Sequence, residues 1–156
     1  MELRERATGN IITDSQFRAM HPNTSFPATI DYAKWGYDII FEGPQATGGT
    51  PYQYSMRQGV EQIGDKWYTK YVLGPIFTDT PEATAADQEA AYKARLDAEQ
   101  AARVRADRNA RLAACDWTQV LDSTVDVPAW GVYRQALRDV PQQAGFPWAV
   151  VWPESP

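Results

Sequence analysis

Histidine and cysteine are almost absent from this chain, which has only His21 and Cys115. A histidine-based metal cluster is thereby excluded, a Ser-His-Asp triad would have to be built around one ring, and no intramolecular disulfide can form. His21 precedes Pro22 and the polar run Asn23-Thr24-Ser25, a context that reads as a turn. Cys115 closes a helical stretch, where the dipole disfavours a thiolate, and reads as a buried, inert thiol. Also missing is any apolar run of the roughly 18 residues that a bilayer span requires. The start Met1-Glu2-Leu3-Arg4-Glu5-Arg6 has no apolar segment of the secretory kind, so folding in a cytosol is expected. Basic residues are outnumbered: 15 Lys and Arg stand against 20 Asp and Glu, a formal charge of -5. That balance disfavours phosphate-driven binding of nucleic acid. Gly59 and Gly64 have the spacing of a phosphate-binding loop, but Asp65 occupies the place of the required lysine. No catalytic residue, cofactor or metal ligand is assigned, neither nucleic acid nor membrane is expected as a partner, and the chain is read as a non-enzyme.

What is present is divided sharply by composition. Residues 1–79 hold most of the glycine, with Gly43-Pro44, Gly48-Gly49 and Gly74-Pro75 breaking short runs rich in Tyr, Ile, Val and Trp. Such punctuation predicts a small β-rich module. Its clearest element is a hairpin, Tyr52 to Ile63 and Lys66 to Leu73, joined by Gly64-Asp65; glycine in the first central position suits a type II′ turn. Ile30 to Trp35 reads as a helical turn feeding a strand from Tyr37 to Phe41.

At Thr80-Pro81-Glu82 the pattern changes to that of a helix start, with an N-cap hydroxyl, proline at the first position and an acid in the first turn. From Pro81 to Ala114 no glycine or further proline intervenes and alanine dominates. The pairs Glu89 with Lys93, Glu99 with Arg103 and Asp107 with Arg111 have acid-first i,i+4 spacing. Acids lead and bases follow, as the helix dipole favours. A helix of this extent is roughly 50 Å long, more than a small domain needs, so it is expected to project or to meet another chain. Residues 81–114 are therefore a candidate for self-association, against the alternative of a solvated spacer.

Residues 116–156 form the third segment. Ala129 to Val140 predicts a shorter helix stopped by Pro141, closing an αα-hairpin on the long one. Trp130, Tyr133, Leu137 and Val140 share its apolar face, with Arg134 and Arg138 on a neighbouring stripe. Arg134 and Arg138 are placed to pair with Asp116, Asp122 or Asp139. Trp117, Trp130, Trp148 and Trp152 are four of the six tryptophans, in a stretch too short to bury them alone. They must pack on the long helix, on a partner, or on both. The fold expected is α+β: a β-rich module, a long projecting helix, and a helical hairpin ending in an extended Trp-Pro tail.

The run Asp116-Trp117-Thr118-Gln119, the helix Trp130-Gly131-Val132-Tyr133-Arg134-Gln135-Ala136-Leu137-Arg138, and the closing Gly145-Phe146-Pro147 and Trp152-Pro153 resemble the phage tail assembly chaperone family. Gly131 departs from the alanine expected there. The resemblance implies a protein that binds a tail-fibre subunit and aids its folding or trimerisation in the host cytoplasm, with the β-rich module as a client contact. A structural component retained on the virion tail, oligomerising through its long helix, is the alternative. Trp117, Trp130, Tyr133, Arg134, Leu137, Arg138, Phe146, Trp148 and Trp152 are the candidate motif-core or partner-binding residues. Trp130, Tyr133 and Leu137 are read more as core than as client contacts.

Overall fold

The Gly64-Asp65 turn forms as its residue types require. Gly64 has φ +64°, and Asp65 does not follow it into positive φ, which fits the type II′ geometry. The turn joins β4 (Tyr54–Ile63) to β5 (Lys66–Gly74) in an antiparallel ladder with an irregularity between Arg57 and Val60. The computed structural model describes residues 1–156, and in it this hairpin belongs to one of two compact units, Met1–Ile76 and Phe77–Pro156.

In the first unit the hairpin extends a mixed five-stranded sheet of order β2-β1-β3-β5-β4. Its other strands are β1 (Glu2–Glu5), β2 (Ile11–Thr13) and β3 (Tyr37–Phe41). β3 runs antiparallel to β1 and parallel to β5. The short helix α1 (Asp14–Met20) follows β2 directly; Thr13 and Gln16 form a reciprocal capping box that fixes its start. Leu3 faces Ile12 and Ile39 across the strands, so the three share a face, and Phe17 of α1 packs on it with Ile30, Tyr32 and Tyr37. The Phe17 ring is fully buried and meets Phe26, Tyr32 and Tyr37 at centroid distances of 5.3–5.4 Å. Burial of such a ring contributes about 2–3 kcal/mol and each aromatic pair about 0.5–1.5 kcal/mol more. His21 ends α1 with its ring 4.9 Å from Phe17 and 4.7 Å from Trp35; it is an aromatic packing residue at a helix terminus. The helical turn expected before β3 is a 3₁₀ turn, Tyr32–Trp35.

The second unit is built on α2 (Ala85–Ala114). It starts one turn later than the Thr80-Pro81-Glu82 signal implied. Thr80 instead closes its own turn, accepting from the Ala83 amide at 3.2 Å while its amide donates to the Ala83 carbonyl at 2.9 Å. Thr84 then caps the helix through the Asp87 amide, and Asp79 accepts from the Ala85 amide at 2.7 Å. Two threonines compete for one role, and the second wins because Asp79 satisfies a further free amide. Two of the three expected helix ion pairs form, Glu89 with Lys93 and Asp107 with Arg111; Glu99 pairs instead with Arg95 on the preceding turn. After a 3₁₀ turn over Asp116–Gln119, α3 (Val127–Asp139) begins two residues before the sequence signal. Pro128 lies in its first turn, where a missing N–H costs nothing, and Asp126 caps the Ala129 amide. Together the units make an α+β protein. No helix is long and apolar enough to cross a membrane.

Candidate functional site

Where α2 ends, its last carbonyls lack helical partners, and α3 supplies one. Arg134 donates to the Leu112 carbonyl at 2.9 Å, approaches Cys115 Sγ at 3.0 Å and meets the Asp116 carboxylate at 2.7 Å. Its side chain is only 11% exposed, whereas that of Asp116 is 66% exposed. Asp116 is the main reason the Arg134 guanidinium is held more firmly charged than an ordinary arginine. A buried cation on the C-terminal carbonyls also complements the helix dipole. Cys115 is buried, as its position implied, with its thiol donating to the Leu112 carbonyl at 3.2 Å.

One turn along α3, Leu137 and then Val140 are fully buried. Trp130 and Tyr133 are half-buried and stack edge to face, 5.6 Å between centroids. Arg138, on the outer stripe, is exposed and takes no part.

Beyond α3 the chain reverses and runs back along α2. Gly145 makes this possible: a Cβ there would lie 2.2 Å from the Ala149 carbonyl oxygen, whose residue's amide closes the turn onto the Gly145 carbonyl at 2.7 Å. Gln143 then acts as a strand in miniature, donating to the Val151 carbonyl and accepting from the Val151 amide, both at 2.8 Å. The aromatic rings land on polar partners of the long helix. Trp148 Nε1 donates to Asp97 at 2.6 Å, while Arg105 lies over Phe146 at 5.2 Å and Arg111 over Trp152 at 4.4 Å. Between tail and helix is a cleft of about 370 Å³ walled by Trp148, Trp152, Val104 and Arg103.

The nine candidate residues thus divide. Tyr133, Arg134, Leu137, Phe146, Trp148 and Trp152 contact the unit's own framework, Trp130 bridges Tyr133 and Trp117, and Trp117 and Arg138 lie outward. Trp117 is 55% exposed, with its ring 6.1 Å from that of Trp130. Sequence reasoning missed Gln143, whose amide has no periodic signature. It also missed the exposed pair Val120 and Leu121, which follow Trp117.

A long helix with an aromatic C-terminal segment folded back on it defines a self-closed helical module. Residues 101–156 match the family model described as phage tail assembly chaperone protein. That span runs from the middle of α2 through the whole fold-back, so it is the C-terminal part of this chain that is similar to the phage tail assembly chaperone family. Neither a curated protein nor a solved structure matches the chain.

Proposed function

We propose that the chain is an assembly chaperone for a tail-fibre subunit of a tailed bacteriophage, acting in the host during assembly to hold the subunit until it folds and trimerises. The observation that carries this reading is the coincidence of the chaperone-family match with a self-contained structural module. The family residues close a platform, and the β-rich unit is available for the client. In that unit β2 and β4 are edge strands, each paired on one side only, and an unpaired edge accepts an extended strand of another chain. Unassembled fibre chains present such strands and aggregate through them until trimerised. Co-expression with the cognate fibre gene tests the reading: soluble trimeric fibre rises when this chain is present. Equal fibre solubility with and without it would sink the proposal.

A second reading, retention on the tail with self-association through α2, is favoured by one feature of that helix. Alanine stands at every fourth position from Ala86 to Ala114 and is exposed each time, leaving a ridge over which another helix can approach closely. An antiparallel copy would set the acidic first turns against the Arg-rich last ones. Stoichiometric peptides of this chain in purified virions would select this reading over a transient chaperone.

A further inference from the structure

The corner between α2 and α3 is apolar, open and acidic at once. Trp117 is 55%, Val120 51% and Leu121 fully exposed. They lie on consecutive turns, with the Val120 amide directed at the Trp117 carbonyl and that of Ser123 at the Val120 carbonyl. Trp117 leads through its ring contact to Trp130, and Val127, 38% exposed, sits one helical turn before Trp130 on α3. Such a cluster of large apolar side chains in water is the mark of a surface that another molecule covers.

Gly131 adds a second observation. It lies inside α3, where glycine costs about 1 kcal/mol relative to alanine, yet a Cβ there would meet nothing within 4 Å. Packing within this chain does not call for glycine. Its effect is to leave a notch beside Val127 and Trp130.

Charge identifies the occupant. From Leu112 to Tyr133 the sequence contains Asp116, Asp122 and Asp126 and no lysine or arginine. Arg134 neutralises Asp116. Asp126 accepts from the Ala129 amide but meets no cation, and Asp122 has no ionic partner. Two uncompensated carboxylates therefore flank the apolar corner, and complementary potential selects a basic partner.

We propose that the corner formed by Trp117, Val120, Leu121, Val127 and the Gly131 notch docks an apolar segment of an unassembled partner protein, flanked by lysine or arginine. The proposal rests on the assembly reading for its partner and adds to the β-strand edges a second surface, on the helical unit, with its own chemistry. A second copy of this chain is a poorer fit, because the arginine-bearing face of α2 offers alanine rather than large apolar side chains.

The test uses the full chain and two synthetic peptides, one of leucine and lysine and one with glutamate in place of lysine, titrated by calorimetry at physiological salt. The leucine–lysine peptide binds the wild type, and binds the double variant Val120→Ser, Leu121→Ser about tenfold more weakly, as expected when central apolar anchors are truncated. These side chains are solvent-exposed, so the circular dichroism of the variant stays that of the wild type. Gly131→Ala, which fills the notch, is a second variant that also weakens binding, and Asp122→Asn lowers affinity and flattens its salt dependence. Equal binding of the lysine and glutamate peptides, or of the wild type and the double variant, overturns the proposal. A wild-type dimer that the double variant converts to monomer also overturns it, in favour of a self-interface. In co-expression, loss of soluble fibre only with the double variant supports the docking surface. Failure of the wild type itself to raise soluble fibre overturns the assembly reading and leaves the peptide result standing.

Discussion

Replacing Arg134 with methionine keeps the apolar stem of the side chain and removes only its charged fork. The guanidinium joins α3 to the C-terminal end of α2 through the Leu112 carbonyl and Asp116. Loss of a charged donor from a part-buried carbonyl costs about 1–2 kcal/mol. Loss of a cation from a helix C-terminus adds about 0.5–1 kcal/mol. The ion pair itself adds little, under about 1 kcal/mol, because Asp116 is 66% exposed and water replaces its partner. Arg134→Met therefore destabilises the second unit by about 2–3 kcal/mol, which in a unit of this size lowers Tm by about 10–20 °C. Thermal unfolding followed by circular dichroism at the helical minimum measures it, since α2 and α3 dominate that signal. The control is Arg138→Met on the same helix, whose exposed side chain makes none of these contacts, with an expected change below about 0.5 kcal/mol. Arg134→Lys falls between, because a point charge cannot serve the carbonyl and the carboxylate together. If the Arg134 and Arg138 variants melt alike, the guanidinium does not join the two helices.

Two further predictions concern the first unit. Phe17→Ala removes the ring at the centre of its core and costs about 3–5 kcal/mol; hydrogen exchange will show protection lost in β1 to β3 and kept in α2, and a loss below about 1 kcal/mol would refute the assignment of that core. Asp14 is held below the usual carboxylate range first by the Tyr32 hydroxyl and then by Arg18, and Glu2 first by its hydrogen bond from Arg57. Both pKa values are depressed on folding, so the stability they contribute is present above the unfolded values, about 4, and is lost as pH falls through the folded ones. Asp14→Asn with Glu2→Gln accordingly flattens the acid limb of a urea-denaturation pH series while lowering stability at neutral pH; an unchanged acid limb would refute the linkage.

Legibility in the sequence followed the length of each element and the locality of its cause. The hairpin was readable because Gly64-Asp65 dictates its turn and the flanking strands are long. Helix α2 was readable because propensity summed over many residues needs no tertiary help. Its first turn was misplaced because two threonine caps lie four residues apart and the hydrogen bond from the Ala85 amide to Asp79, which has no helical spacing, favours the second. The first 20 residues were opaque: β1 and β2 span four and three residues, and α1 buries Phe17 alone, too little for any periodicity to register. The fold-back was half readable. Tryptophans in excess of local burial demanded an outside surface, but the Trp148 contact with Asp97 and the Gln143 clamp on Val151 depend on a chain path that Gly145 sets.

The same physics separates two meanings of the family motif. Arg134 of its helix holds the α2 terminus, its tail residues Phe146, Trp148 and Trp152 meet α2, Leu137 is fully buried and Tyr133 stacks on Trp130. A side chain so engaged must first be released before it can bind another protein, and each release forfeits a hydrogen bond or a buried area worth about 1–3 kcal/mol. Recognition through these residues would thus compete with the fold that presents them. Val120, Leu121 and the open side of Trp117 bear no such cost, since they are already in water. The motif residues so engaged accordingly close the second unit on itself, and Val120, Leu121 and one side of Trp117 are left in water.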